Sequence, residues 1–333
     1  MNREKNEILN ELIESSGFNG VCLIAEEGEI IYANAHGMAN FEHQVPNTLQ
    51  TKFRIASITK QFTAAAILQL VEQQKLTVSD PVSKYIPDYP HGSIITIHHL
   101  LTHTSGIPNF NLDDDFYHVF HSENYQEALI DLFKHQPLQF DPGSNFAYSV
   151  SGFLILGYII EKVSNQRYLE YLKEHIFYPL QMNDSGYDYY QELVIGRANG
   201  YSKIGDILEN AEFIDMRIAG AGGGLYSTVL DLLKWNNGLF GSTIISKESL
   251  ELMLSKHVIL SDHDSSGYGM FRSESVINDK QRTMFYHSGG GIGVRSFNMY
   301  FMEDQMQVIL ITNVNDKDTF ESVRSLISEI IFN

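Results

Sequence analysis

The chain has 333 residues, with 23 Lys and Arg against 41 Asp and Glu, for a net charge of −18, and 43% hydrophobic residues. Such a balance belongs to a folded chain with a sizeable core. The carboxylate excess excludes a nucleic-acid partner, which needs clustered Lys and Arg, and disfavours anionic membrane surfaces.

Residues 3–14 carry Ile8, Leu9, Leu12 and Ile13 on one face and predict an amphipathic helix. The opening MNREKNEILNELIESS is charged throughout and lacks the apolar stretch of a secretory signal. No apolar run approaches the ~20 residues that span a bilayer. The expected location of the chain as given is therefore cytoplasmic. Val21 to Ala25 and Glu29 to Ala35 predict a hairpin turning at Glu27-Gly28. The middle, 56–200, holds helical patterns at 58–74, 123–134, 150–163 and 167–176. A short strand at Thr283 to Tyr286 then precedes HSGGGIG. A second hairpin, Arg295 to Met302 with Met306 to Thr312, turns at Glu303-Asp304. The last pattern, 317–331, is a helix through Phe320, Val323, Leu326, Ile327, Ile330 and Ile331.

The two ends mirror each other, helix with hairpin and hairpin with helix. Short connections favour antiparallel neighbours, so one antiparallel sheet covered by terminal helices follows, an α+β fold. Residues 1–55 and 201–333 are expected to form this discontinuous sheet domain. Residues 56–200 are expected as an inserted, mostly helical domain, with a site at the border.

Three segments carry chemistry. Ser57 opens a helical pattern and Lys60 follows on the same face one turn on, where a lysine of lowered pKa can take a serine proton. Ser-x-x-Lys also occurs by chance, as a helix cap beside a surface lysine. Tyr148 precedes an apolar helix and reads as a packed aromatic or a proton-transfer group, with Ser149 or Ser151 as the cap. Residues 286–296, YHSGGGIGVRS, place glycines where a ligand could approach free backbone N–H groups, or where the strand simply bulges.

Taken in order, these segments strongly resemble the class C β-lactamase-related serine hydrolases, a superfamily of penicillin-binding proteins, D-peptidases and esterases. The likeness covers nearly the whole chain, through FRIASITKQFTAAAILQLVEQQKL, DPVSKYIPDY, ITIHHLLTHTSGIP, FDPGSNFAYSVSGFLILGYIIEKVS and GAGGGLYSTVLDLLKW. It implies the β-lactamase/transpeptidase-like fold and an acyl-enzyme mechanism without metal or cofactor. Ser57 matches the nucleophile, Lys60 its activating partner and Tyr148 the proton relay. His287, Ser288 and Gly289 match the third motif, and the backbone N–H groups of Ser57 and Gly290 the oxyanion hole. The expected partner is a small-molecule or short-peptide substrate, β-lactams included. A D-peptidase, carboxypeptidase or esterase is favoured. The alternatives are a β-lactam-acylated binding or sensor protein with little turnover, a weak β-lactamase, or a non-catalytic binding protein.

Two departures bear on substrate. Val150 stands where the resemblance expects an asparagine that donates to a substrate amide, which lowers the expectation of efficient β-lactam hydrolysis. His287 replaces a lysine, so a substrate carboxylate held by it alone would bind more weakly as pH rises. Arg295 reads equally as a permanent charge for the substrate or as a surface strand residue; Lys60 and His287, joined by Arg295 on the first reading, predict a locally basic groove. His98, His99 and His103 invite a metal reading but lack a ligand motif. Asp113, Asp114 and Asp115 read as a solvated acidic loop before Phe116, Tyr117 and Phe120. Ser227 reads as a helix cap, Trp235 as a packing residue and Cys22 as a buried thiol.

Overall fold

The computed structural model describes residues 3–110, 119, 121–122 and 124–332. The acidic loop Asp113 to Asp115, with Phe116, Tyr117 and Phe120, lies outside the described residues. The main sheet takes eight strands: β1 (Gly20–Glu26), β2 (Glu29–His36), β3 (Val258–Ile259), β4 (Asp264–Ser266), β5 (Phe271–Ile277), β6 (Lys280–Gly291), β7 (Val294–Phe301) and β8 (Met306–Thr312). Their order across the sheet is β3-β4-β5-β6-β7-β8-β1-β2, with antiparallel pairing at each step. The β1–β2 turn uses Glu27 and Gly28 at φ 50° and 83°, the left-handed pair that matches a two-residue hairpin. β8, MQVILIT, is buried along its whole length between β7 and β1, as an apolar central strand should be.

Alternation along the strands divides the core in two. On one face Cys22, Ile24, Val308, Leu310, Phe297 and Met299 pack under helices α1 (Arg3–Ser15) and α7 (Lys317–Phe332), through Leu9, Ile13, Phe320, Val323 and Ile327. On the other face Val21, Leu23, Ile309 and Ile311 belong to a second core that continues through the central helices. Those are α2 (Thr59–Glu72), α3 (Ile97–Leu101), α4 (Val150–Ser164), α5 (Val229–Phe240) and α6 (Lys247–Leu254). Every residue of α2 from Thr59 to Leu70 is buried. A helix enclosed on all sides can carry the lysine at its start into the interior.

Two local expectations change. The cap of α5 is Thr228, whose hydroxyl accepts from Asp231 N, because Ser227 is held in a short strand paired with Phe53. The strand before the third motif is longer than its apolar pattern. It runs through His287 to Gly291, since pairing with β7 keeps the glycines extended. Trp235 is fully buried, stacks on Phe62 at 4.0 Å and donates its indole N–H to Gln61. Cys22 is also fully buried, and burial pushes its thiol pKa well up.

Candidate active site

The turn that carries Ser57 is held from three sides. Ile55 N donates to Leu225 O at 3.0 Å, Leu225 N donates to Thr59 Oγ1, and Ser296 Oγ donates to Ile55 O at 2.8 Å. Between these anchors Ala56 takes φ 45°, a left-handed conformation that costs a non-glycine residue about 1 kcal/mol or more. A 3-10 turn, Ala56–Ile58, then leads into α2. Ser57 sits at this bend and lines a cavity, while Lys60, one turn on, is buried.

Lys60 Nζ donates to Ser57 Oγ at 3.0 Å and to Gly222 O at 2.6 Å. It also lies 4.7 Å from the centre of the Tyr148 ring and 5.4 Å from that of Phe153. None of these groups is a carboxylate. Desolvation therefore lowers the Lys60 pKa from 10.5 to about 7, which makes it a usable base near neutrality. Tyr148 lies beside Ser57, and burial holds its phenol pKa well above the usual value. Tyr148 therefore keeps its hydroxyl proton near neutral pH.

His103 and Asn109 clamp the Tyr148 segment, and neither carries a sequence motif for that role. His103, at φ 59°, accepts Ala147 N on its carbonyl and Ser149 N on Nδ1, and its ring lies 4.5 Å from that of Tyr148. Burial holds its pKa well below the usual value, which keeps Nδ1 an acceptor. Asn109 grips the other side. Its Oδ1 accepts Val150 N at 2.6 Å and its Nδ2 donates to Tyr148 O at 3.1 Å. Ser149 caps α4 through Gly152 N. His98 instead meets the Tyr268 hydroxyl, and His99 closes a capping box with Thr96. Among the described residues, no group of three His, Cys, Asp or Glu side chains is placed to hold a metal ion.

β6 forms the opposite wall. Its pairing with β5 stops at Tyr286, so His287 to Gly291 have a strand partner on the β7 side alone and keep one free edge. Gly290 and Gly291 from this stretch line the same cavity as Ser57. Gly289 packs on the turn that carries Ser57. A Cβ there would lie 2.2 Å from Ser296 Oγ, 2.4 Å from Ile55 O and 3.1 Å from Ala56 Cβ. Gly289→Ala must push the Ser57 turn away. Its kcat/KM on an activated ester should fall about 100-fold, with the urea midpoint also lowered. Wild-type kinetics in this variant would remove the claimed contact.

The remaining candidates separate by strand alternation. His287 faces inward, 2% exposed, 6.1 Å from the Tyr148 ring centre and 5.3 Å from that of Phe271. Its Nδ1 pairs with Ser288 O, and burial beside Lys60 lowers its pKa to about 3. It is neutral at any pH near 7 and carries no charge for a substrate. Arg295 and Ser288 belong to the other face. Ser296 points inward to Ile55 O, while Phe297, beyond it, packs with α7 under Arg324. Arg295 accordingly runs beside Gly290 on that outer face and is absent from the cavity lining. The expected basic groove is thus not formed by Lys60, His287 and Arg295.

The cavity itself is about 330 Å³ and mostly apolar. Ser57, Gly222, Gly223 and Gly290 line it together with Val150, Phe110, Ile214, Met216, Ile218, Ile292 and Val294. Val150 lies where a Cβ on Gly222 would come within 2.9 Å of it, so that glycine makes room for the valine.

A serine hydroxyl beside a buried, weakly basic lysine, next to a free strand edge, defines the site of a serine hydrolase with the β-lactamase fold. The chain belongs to the Beta-lactamase family, whose sequence model matches residues 6–329. PbpX of Bacillus subtilis (strain 168) is 30% identical over 335 residues, covering 98% of this chain and 79% of that protein. A penicillin binding protein from Bacillus halodurans superposes with a TM-score of 0.84 at 29% identity, over 96% of this chain and 98% of the other. The esterase EstB of Burkholderia gladioli is 34% identical over 182 residues, or 50% of this chain and 46% of that protein. No helix among the described residues is long and apolar enough to cross a membrane.

Proposed function

We propose that the protein hydrolyses small esters or amides through an acyl-enzyme on Ser57. Lys60 takes the Ser57 proton as the hydroxyl attacks the substrate carbonyl, and Tyr148 relays it to the departing oxygen or nitrogen. The tetrahedral oxyanion rests on the backbone N–H groups of Ser57 and Gly290. Water, activated by the same pair, then releases the acid and restores Ser57. The observation that carries this reading is Lys60 at 3.0 Å from Ser57 Oγ, buried and titrating near 7. The kinship with an esterase and with penicillin-binding proteins agrees with it.

The apolar cavity favours an aliphatic or aromatic acyl group. Val150 offers no side-chain donor to an amide, and the Val150 N–H is already used by Asn109. Esters and simple peptides are therefore preferred over efficient β-lactam turnover. Intact-protein mass spectrometry tests this with an activated ester, a penicillin and a D-Ala-D-Ala peptide. Rapid release of acid from the ester, with a slow or lasting penicillin adduct, is expected. An adduct on no reagent, or one unaffected by Ser57→Ala, would overturn the reading.

A further inference from the structure

A second cavity, about 220 Å³, opens beside the first and shares Ile214 and Val294 with it. Its lining differs in kind. Arg54, Arg197, Asn199 and Asn210 bring polar groups, and Gly200 and Gly293 bring bare backbone. The two glycines meet so closely that a Cβ on Gly293 would lie 2.6 Å from Gly200 Cα, so this part of the lining stays free of side chains.

Both arginines are held by one acid. Arg54 Nε meets Asp188 Oδ2 at 2.6 Å and Arg197 Nη1 meets Asp188 Oδ1, while Asp188 is only 1% exposed. Two guanidiniums on one carboxylate leave a positive charge over. Each arginine spends one nitrogen on Asp188, and a guanidinium has further donors in a fixed fork. A further acid, Glu212, is exposed and also borders the cavity, where water screens it more than it screens the pinned pair. Arg54 is three residues before Ser57, so its backbone lies within about 10 Å of the nucleophile.

We propose that this cavity is a second substrate subsite that takes a carboxylate, so that the substrate class is an ester or amide carrying an anionic group several bonds from the scissile carbonyl. The proposal rests on the acyl-enzyme reading of Ser57. It moves the charge recognition expected of His287 and Arg295 to Arg54 and Arg197. The carbonyl sits at Ser57, an apolar spacer fills the larger cavity, and the carboxylate reaches the arginine pair.

The test compares mono-p-nitrophenyl esters of adipate, suberate and sebacate with uncharged esters of equal length. For at least one length, kcat/KM should favour the anionic ester about tenfold or more. That ratio should fall towards one in Arg197→Gln and rise in Glu212→Gln. Reading a ratio within each variant cancels differences in folded fraction. A wild-type ratio near one at every length, or a ratio unmoved by both substitutions, overturns the proposal. If neither ester is turned over, the Ser57 reading is what fails. Suberate alone should still raise the melting temperature of the wild type and not of Arg197→Gln, and no shift in the wild type would sink the subsite.

Discussion

Replacing Ser57 by alanine is expected to lower turnover of p-nitrophenyl butyrate by about ten-thousand-fold and to abolish the acyl adduct in the intact-mass spectrum. The size of the effect follows from the chemistry. Without the hydroxyl no acyl-enzyme forms, and the reaction must proceed by direct attack of water. The donors that line the cavity would still bind the substrate, so KM should change far less than kcat. Folding should be untouched. Ser57 is half-buried at the mouth of the cavity, and the turn that carries it is fixed by Ile55, Thr59 and Ser296 rather than by the serine side chain. A variant with unchanged melting temperature and no turnover is therefore the expected result. Residual activity within tenfold of wild type would mean that another group acts as the nucleophile.

The sequence made some of this site legible, and the difference is one of distance along the chain. Ser57 and Lys60 share a helical turn, so spacing alone puts them together. The terminal helices and hairpins were equally readable, because each is a local pattern of period 3.6 or 2. Tyr148 was reached through resemblance to a family, since a tyrosine before an apolar helix has no distinctive local mark. What holds Lys60 was not readable: the Gly222 carbonyl comes from 162 residues away and has no side chain to announce it. Asn109 was missed for a related reason, as both of its bonds are to backbone atoms some 40 residues on. The arginine pair shows the same limit, with Arg54 and Asp188 separated by 134 positions. For His287 and Arg295 it was the expected charge in the groove that the residue types could not decide: burial leaves His287 neutral, and Arg295 runs on the other face of the strand. Their types suggested charge in the groove, but the strand's period of two and the depth of burial decide which face each one serves.

Lys60→Met is expected to separate activity from stability in opposite directions. Met keeps the unbranched stem and removes the titrating nitrogen, so the buried volume is nearly unchanged. On an activated ester kcat/KM should fall about 1,000-fold or more at pH 8, where the wild-type amine is neutral and able to accept the Ser57 proton. The wild-type profile should rise with pH through about 7, the value to which burial lowers Lys60, and then level off. In the variant that limb should vanish. Stability should move the other way. An unfolded Lys60 holds a proton up to pH 10.5, whereas the folded one releases it near 7. Between those values the unfolded chain binds more protons, so the wild type loses stability as pH falls from 10.5 towards 7, by about 5 kcal/mol over the full interval. Removing the group removes that cost. Urea unfolding at pH 7 should show Lys60→Met more stable than wild type by a few kcal/mol, and the gap should narrow as pH rises. A variant that lost both activity and stability would mark Lys60 as a packing residue. Lost activity with gained stability is the signature of a lysine buried for its chemistry, at the expense of the fold that holds it.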